Sequence, residues 1–329
     1  MIGYITRRLL LFIPMLVVLS ILIFALIQLP PGDYLTSVIM ALAESGQLVD
    51  EALIANLKHR YGLDQPMYVQ YFKWIRNIIL RGDFGISFEW NKPVSQLIWE
   101  RLAWTVGISL GSLLFTWVVA FPIGIYSATH QYSVADYAFT FLGFMGRATP
   151  GFLLALILMW IGYSFFGFSI GGLFSARYDT APWSFDKFID LLKHLWVPLV
   201  VLGTGGAAGL IRILRANLLD ELQKPYVIAA RAKGLSEAEL IWKYPVRIAI
   251  NPFISGIGGT LPYLISGAGI VSIVLSLPTT GPLLLRALLA QDMYLAGSFM
   301  MMLTTLTLVG TLVSDILLAA LDPRIRQTA

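Results

Sequence analysis

The chain has 329 residues, of which 57% are hydrophobic and 13% charged, where soluble domains run nearer 45–50% and about 25%. A soluble core cannot absorb that excess, because polar side chains must cover its surface; a bilayer can. Cysteine is absent, which excludes a disulfide framework, a thiolate metal site and a cysteine nucleophile, and the formal charge of +4 matters less than its distribution.

In chain order, Arg7 and Arg8 precede an apolar run over 9–29. The core of a signal peptide is about 7–15 residues and ends at a small-residue cleavage site. This run is longer and ends in Pro30, Pro31, Gly32 and Asp33, so it reads as a retained span. A helix needs about 20 mainly apolar residues to cross the hydrocarbon. Five further runs meet that need, at 105–126, 137–166, 195–213, 248–275 and 293–318. Helices are the expected form, since every backbone polar group must be paired inside lipid. Pro14, Pro122, Pro150 and Pro198 can kink them.

Residues 31–104 hold many of the charges and read as a small domain outside the membrane. Helical patterns recur there at 51–60, 69–80 and 94–101, separated by Tyr61-Gly62-Leu63-Asp64-Gln65-Pro66 and Arg81-Gly82-Asp83-Phe84-Gly85. A second exposed loop, 167–193, is rich in glycine, serine and aromatics. Its aromatics are candidates to stack on sugar rings or apolar side chains, or to anchor at the interface. With the N-terminus inside, Arg7, Arg8, Arg212, Arg215, Lys224, Arg231, Lys233, Lys243, Arg247, Arg324 and Arg326 collect on the cytoplasmic side, as the positive-inside rule asks.

The resulting fold class is an all-α integral membrane protein. It has six transmembrane helices, cytoplasmic N- and C-termini, and a small extracytoplasmic domain between helices 1 and 2. The organisation is an N-terminal transmembrane helix over 1–30, an extracytoplasmic helical domain over 31–104, a membrane core over 105–320 with a cytoplasmic loop at 214–247, and a cytoplasmic tail over 321–329. Glycine pairs at Gly107 and Gly111, and at Gly205 and Gly209, suit close helix packing.

Catalytic motifs do not emerge. There is no G-x-x-x-x-G-K-[ST] and no H-E-x-x-H. His59, His130 and His194 are scattered and read as solvated or interfacial. Gly107-Ile108-Ser109-Leu110-Gly111 has the letters of a nucleophile elbow, but that motif needs a strand-to-helix turn and these residues lie inside a span. Arg147 and Asp315 are the candidate intramembrane charges, read as snorkelling groups or structural ion pairs. So few central charges weigh against ion coupling.

The loop 212–252 is the most organised exposed segment. Pro225 suits a first helical turn, and 226–233 reads as a short helix. Gly234 follows, where a helix can end in a left-handed conformation. Ser236 can cap a second helix while Glu239 reaches back to it. That helix, ending near Tyr244 before Pro245, carries Leu235, Ala238, Ile241 and Trp242 toward one side. Ala229 and Ala230 offer a small surface for close packing.

This loop resembles the signature of the permease subunits of bacterial ABC importers: Glu-Ala-Ala, three residues, Gly, about nine residues, then Ile-x-Leu-Pro. Ala229, Ala230 and Gly234 match; Ile228 replaces the glutamate, and Tyr244, Val246 and Arg247 depart from the last part. The dipeptide/oligopeptide/nickel branch is closer. Its Ala-Arg-Ala-Lys-Gly-Leu-Ser stands intact at 230–236, and Pro252 matches its distal proline. The resemblance covers nearly the whole chain. It includes Arg7-Arg8-Leu9 with Pro14, Pro31-Gly32-Asp33, Tyr61 to Pro66 with Gln70-Tyr71, Gly82 to Gly85, and Leu321-Asp322-Pro323-Arg324-Ile325-Arg326. Pro278 and Gly281 match a family turn whose first glycine is Thr279 here.

The resemblance implies a second, similar permease, two ATP-binding-cassette ATPase subunits below, and an extracytoplasmic solute-binding protein that delivers substrate. It implies a multi-pass protein of a bacterial or archaeal cytoplasmic membrane, surrounded by lipid, with no nucleic acid, cofactor or metal and no ATPase activity of its own. The ATPase-coupling residues would be Ala229, Ala230, Gly234, Leu235, Ser236, Glu237, Ala238, Glu239, Ile241 and Trp242. Family members move peptides, nickel complexes, opines or oligosaccharides, and a peptide is the first expectation. An ion-coupled transporter or channel is the alternative, and a membrane enzyme a third class.

Overall fold

The computed structural model describes residues 2–29, 35, 64–167, 171–251, 253 and 269–321. Among these, twelve α-helices carry the architecture and no strand forms beyond one isolated bridge between Ile86 and Pro93. The chain divides into two compact units, 1–104 with 279–329, and 105–278.

Unit one contains α1 (Ile2–Gln28), α2 (Met67–Arg81), the first turns of α3 (Val94–Thr129), α11 (Thr280–Leu289) and α12 (Met293–Leu321). Helix α1 packs along α12 and leaves Leu10, Ile13 and Leu26 exposed, a surface that only hydrocarbon solvates. Helix α2 ends at Gly82 in the left-handed region, with Gly82 N donating to Ile78 O at 3.0 Å and Asp83 N to Asn77 O at 3.2 Å. Val94, Leu97 and Ile98 of α3 form the core with Leu283, Ala287, Leu295, Ala296 and Phe299. The N-terminus of α12 is tied to the chain after Gly85 by Asp292. That buried carboxylate accepts from Ser87 Oγ at 2.5 Å, Glu89 N at 3.2 Å and Leu295 N at 3.1 Å.

The short helix read at 94–101 and the second span are one helix. Leu102, Ala103 and Trp104 between them contain no breaker, so the helix runs through. Pro122 sits inside it without ending it.

Unit two holds the rest of α3, with α4 (Val134–Ala148), α5 (Gly151–Phe166), α6 (Phe185–Leu222), α7 (Pro225–Ala232), α8 (Glu237–Lys243), α9 (Pro245–Ala249) and α10 (Gly269–Val274). Helices α3 and α6 approach closely at Gly203: a Cβ there would meet Phe115 at 2.5 Å, and Thr116 Oγ1 donates to Gly203 O at 3.0 Å. Of the glycines paired in the sequence, Gly111 meets Leu199, whereas among the described residues nothing lies within 4 Å of a Cβ placed on Gly107 or Gly205.

The expected single span over 137–166 is a bent pair. Helices α4 and α5 meet at 104°. Pro150 lacks an N–H and its ring drives the preceding residue out of the helical region; Thr149 accordingly has φ −80° and ψ 122°. Among the described residues, four helices are long and apolar enough to cross a membrane, and the bent pair makes a fifth if counted as one span. The expected span 248–275 and the helical pattern at 51–60 lie largely or wholly outside the described residues, as do His59 and the side chain of Asp315.

His194 is buried rather than solvated, with Nδ1 2.8 Å from Asp190 O; His130 stacks on Tyr126 at 4.5 Å. In the loop before α6, the buried Lys187 donates to Ala181 O at 2.7 Å and lies over Phe174 and Trp183, at 4.7 and 5.5 Å from their centroids. These two aromatics therefore serve the loop's own packing by cation–π attraction.

Candidate functional site

The loop singled out by sequence folds as a compact helix pair. Lys224 precedes α7 in extended conformation and Pro225 occupies its first turn, where a missing N–H costs nothing. The helix closes with Gly234 N donating to Arg231 O at 3.0 Å, and Gly234 turns the chain with φ +83°. Ser236 Oγ then accepts from Glu239 N at 3.3 Å and caps α8. The reciprocal half of the expected capping box is not made: the Glu239 carboxylate lies 3.6 Å from Lys243 Nζ instead, the ordinary i,i+4 partner on a helix.

The pair has its own small core. Val227, Ala230 and Leu240 are buried, and Leu235, Ile241 and Tyr244 pack against them. This corrects the expected face. Leu235 and Ile241 turn inward, whereas Ala238 and Trp242 remain exposed; Ala230 is buried and its neighbour Ala229 exposed. The outward surface is therefore made by Ile228, Ala229, Ala238 and Trp242. Leu240 is the central residue that sequence reasoning passed over. Its position four residues after the Ser236 cap was visible, but α7, against which it packs, comes from the far side of a turn.

Arg231 and Glu237 bridge the two helices by a bidentate pair, Nε to Oε1 at 2.5 Å and Nη2 to Oε2 at 3.0 Å. Arg231 holds the Glu237 carboxyl below the usual glutamate range. At the base of α7, Tyr226 donates to the Glu221 carboxylate. Burial, with that carboxylate second, pushes the phenol up to about 12.

The pair is fastened to the membrane part of unit two. Helix α9 follows α8 after Tyr244 alone, and its Val246 and Ala249 are buried with Leu214 and Leu218 of α6 and Ala128 of α3. The pair is thus joined to α6 through packed side chains. Truncating Leu240 to alanine is expected to cost about 2–5 kcal/mol of local stability. Limited proteolysis checks this: cleavage within 224–244 should rise sharply in Leu240→Ala, while the spans stay protected.

Comparison with known proteins places the whole chain. Residues 120–327 match the family described as binding-protein-dependent transport system inner membrane component, and residues 1–109 match the N-terminal family of the same membrane component. The chain is 37% identical to the oligopeptide transport system permease protein AppB of Bacillus subtilis (strain 168), over 99% of each chain. It is 31% identical to the inner membrane ABC transporter permease protein YejB of Escherichia coli O157:H7, over 98% of each. It is 30% identical to the dipeptide transport system permease protein DppB of Alkalihalophilus pseudofirmus, over 99% of this chain and 100% of that one. The matched order of motifs, the apolar helices and the exposed helix pair agree, and the chain belongs to the inner membrane components of binding-protein-dependent transport systems, the permease subunits of ABC importers.

Proposed function

We propose that this chain forms, with a second similar permease, the path by which an importer of a bacterial cytoplasmic membrane moves peptides inward. In this reading six spans place both termini in the cytoplasm and residues 31–104 outside. An extracytoplasmic binding protein delivers the peptide, and two ATPase subunits supply the energy. Each permease presents one helix pair, α7–α8, to an ATPase. The observation that carries the coupling role is the anchorage of a capped, internally packed pair to α6 through α9. A rigid body joined to a span transmits a rigid-body motion, which a solvated loop does not. The peptide assignment rests on the relatives named as oligopeptide and dipeptide permeases; an oligosaccharide stands second, and an opine or nickel complex after it.

The test is reconstitution of the complete transporter in lipid with its binding protein. Loaded binding protein should stimulate ATP hydrolysis, and the purified chain alone should hydrolyse none. Competition by a peptide library should displace the bound solute; silence from peptides with tight sugar binding would reverse the substrate order. In a separate labelling experiment, single cysteines at Asp186 and Ser236, introduced into a chain with none of its own, report orientation. Only the one at 186 should react with an impermeant reagent in intact cells.

A further inference from the structure

Unit two contains a groove of about 210 Å³ between α4 and α6 that the coupling role does not use. At one end Arg215 grips Asp136 through two bonds, Nε to Oδ1 at 3.0 Å and Nη2 to Oδ2 at 2.9 Å. Asp136 lies in the first turn of α4, and Arg215 lies about two turns before the end of α6. This end of the groove is therefore the end of unit two from which α7 and α8 extend.

Farther along the same groove come Arg212 and then Arg147. Both are exposed, and neither has a hydrogen-bond or ion-pair partner among the described residues. Arg147 reaches across to α6: a Cβ on Gly209 would lie 3.6 Å from its Nη1, and Gly209 is one turn from Arg212. The two uncommitted guanidiniums thus both line the groove, while the third is neutralised by Asp136. The remaining wall is apolar and aromatic, with Tyr137 and Phe144 of α4 61% and 57% exposed.

An unpaired guanidinium beside hydrocarbon is costly and is found paired, snorkelling or facing water. Two of them, flanked by exposed aromatic surface, present forked donors to an oxyanion and an apolar channel to whatever is attached to it. A soluble carboxylate satisfies the forks but leaves the aromatic wall wet; a phospholipid satisfies both. Basic pockets between membrane helices hold lipid headgroups by this chemistry. We propose that the α4–α6 groove is a binding site for an anionic phospholipid, with its phosphate held by Arg147 and Arg212 and an acyl chain against Phe144. The proposal rests on the membrane assignment and on neither the substrate nor the coupling role.

The experiment uses the complete transporter, purified with its partner subunits, and phosphatidylglycerol and phosphatidylcholine of the same chain length as probes. Native mass spectrometry should show wild type retaining phosphatidylglycerol in preference to phosphatidylcholine. The double variant Arg147→Gln/Arg212→Gln should weaken that retention about tenfold or more, while Lys193→Gln, outside the groove, leaves it unchanged. Size-exclusion chromatography checks assembly. If the double variant does not assemble, the single variants Arg147→Lys and Arg212→Lys, which keep the charge and lose the fork, should each weaken retention. Equal retention of the two lipids by wild type, or unchanged retention in the variants that assemble, would overturn the site. Displacement of the retained lipid by millimolar peptide would also overturn it, and assign the guanidiniums to a substrate carboxylate.

Discussion

Valine at position 234 is expected to abolish transport and substrate-stimulated ATP hydrolysis while leaving membrane insertion intact. Gly234 has φ +83°, and among the described residues, its chain neighbours aside, no atom lies within 4 Å of where a Cβ would stand. Crowding is therefore not the cause; the backbone is. An L-residue in that region costs roughly 1–2 kcal/mol, and a β-branched one sits there as an outlier. The chain can relieve the strain by rotating out of the left-handed region, but that turn sets the angle between α7 and α8. Rotation would pull Leu240 from Val227 and Ala230 and move Ala238 and Trp242 relative to Ile228.

The measurement is ATPase activity of the reconstituted complex with and without loaded binding protein, together with a crosslink from position 238 to the ATPase. Full stimulation and an unchanged crosslink in Gly234→Val would remove this turn from the mechanism. Glu237→Gln is the companion variant. It removes the charge of the Arg231 pair, which is fully solvent-exposed, so its effect should be small. Because Arg231 lowers the Glu237 pKa, the pair's contribution is present above the ordinary glutamate value of 4.5 and is lost as pH falls through the lowered one.

Asp292→Ala should destabilise unit one by about 2–5 kcal/mol. It strands the Ser87 hydroxyl and two backbone N–H groups and removes the acceptor at the start of α12. Asp292→Asn should cost less, because an amide oxygen still accepts and its NH2 group can face Ser87. Burial outweighs the hydrogen bonds and raises the Asp292 pKa above its ordinary 3.8. The sign follows: its contribution is full below the ordinary carboxylate value and declines as pH rises through the raised one. Thermal unfolding followed by tryptophan fluorescence, at several pH values across that range, distinguishes the variants. Wild type should lose stability with rising pH over a window in which Asp292→Asn stays flat. An Asp292→Ala protein that melts with wild type would show that the loop after Gly85 is held by other contacts.

What the sequence determined by itself was governed by neighbours along the chain. Composition alone required a bilayer, since 57% hydrophobic residues exceed what a soluble surface can cover. Pro225, Gly234 and Ser236 placed two short helices and their turn, because a missing N–H, a missing Cβ and a capping hydroxyl act within a few residues. The order of motifs identified the family. Tertiary structure decided the rest. Pro150 announced a kink, but the 104° angle depends on how α4 and α5 each pack against α6. The inward turn of Leu235 and Ile241, the Arg231–Glu237 bridge and the placement of Leu240 all require α7 and α8 to be folded on one another. Asp292 meets Ser87 across 205 residues, and Asp136 meets Arg215 across 79. Such partners carry no spacing rule, because the distance that matters to a charge or a buried side chain is measured through space and not along the chain.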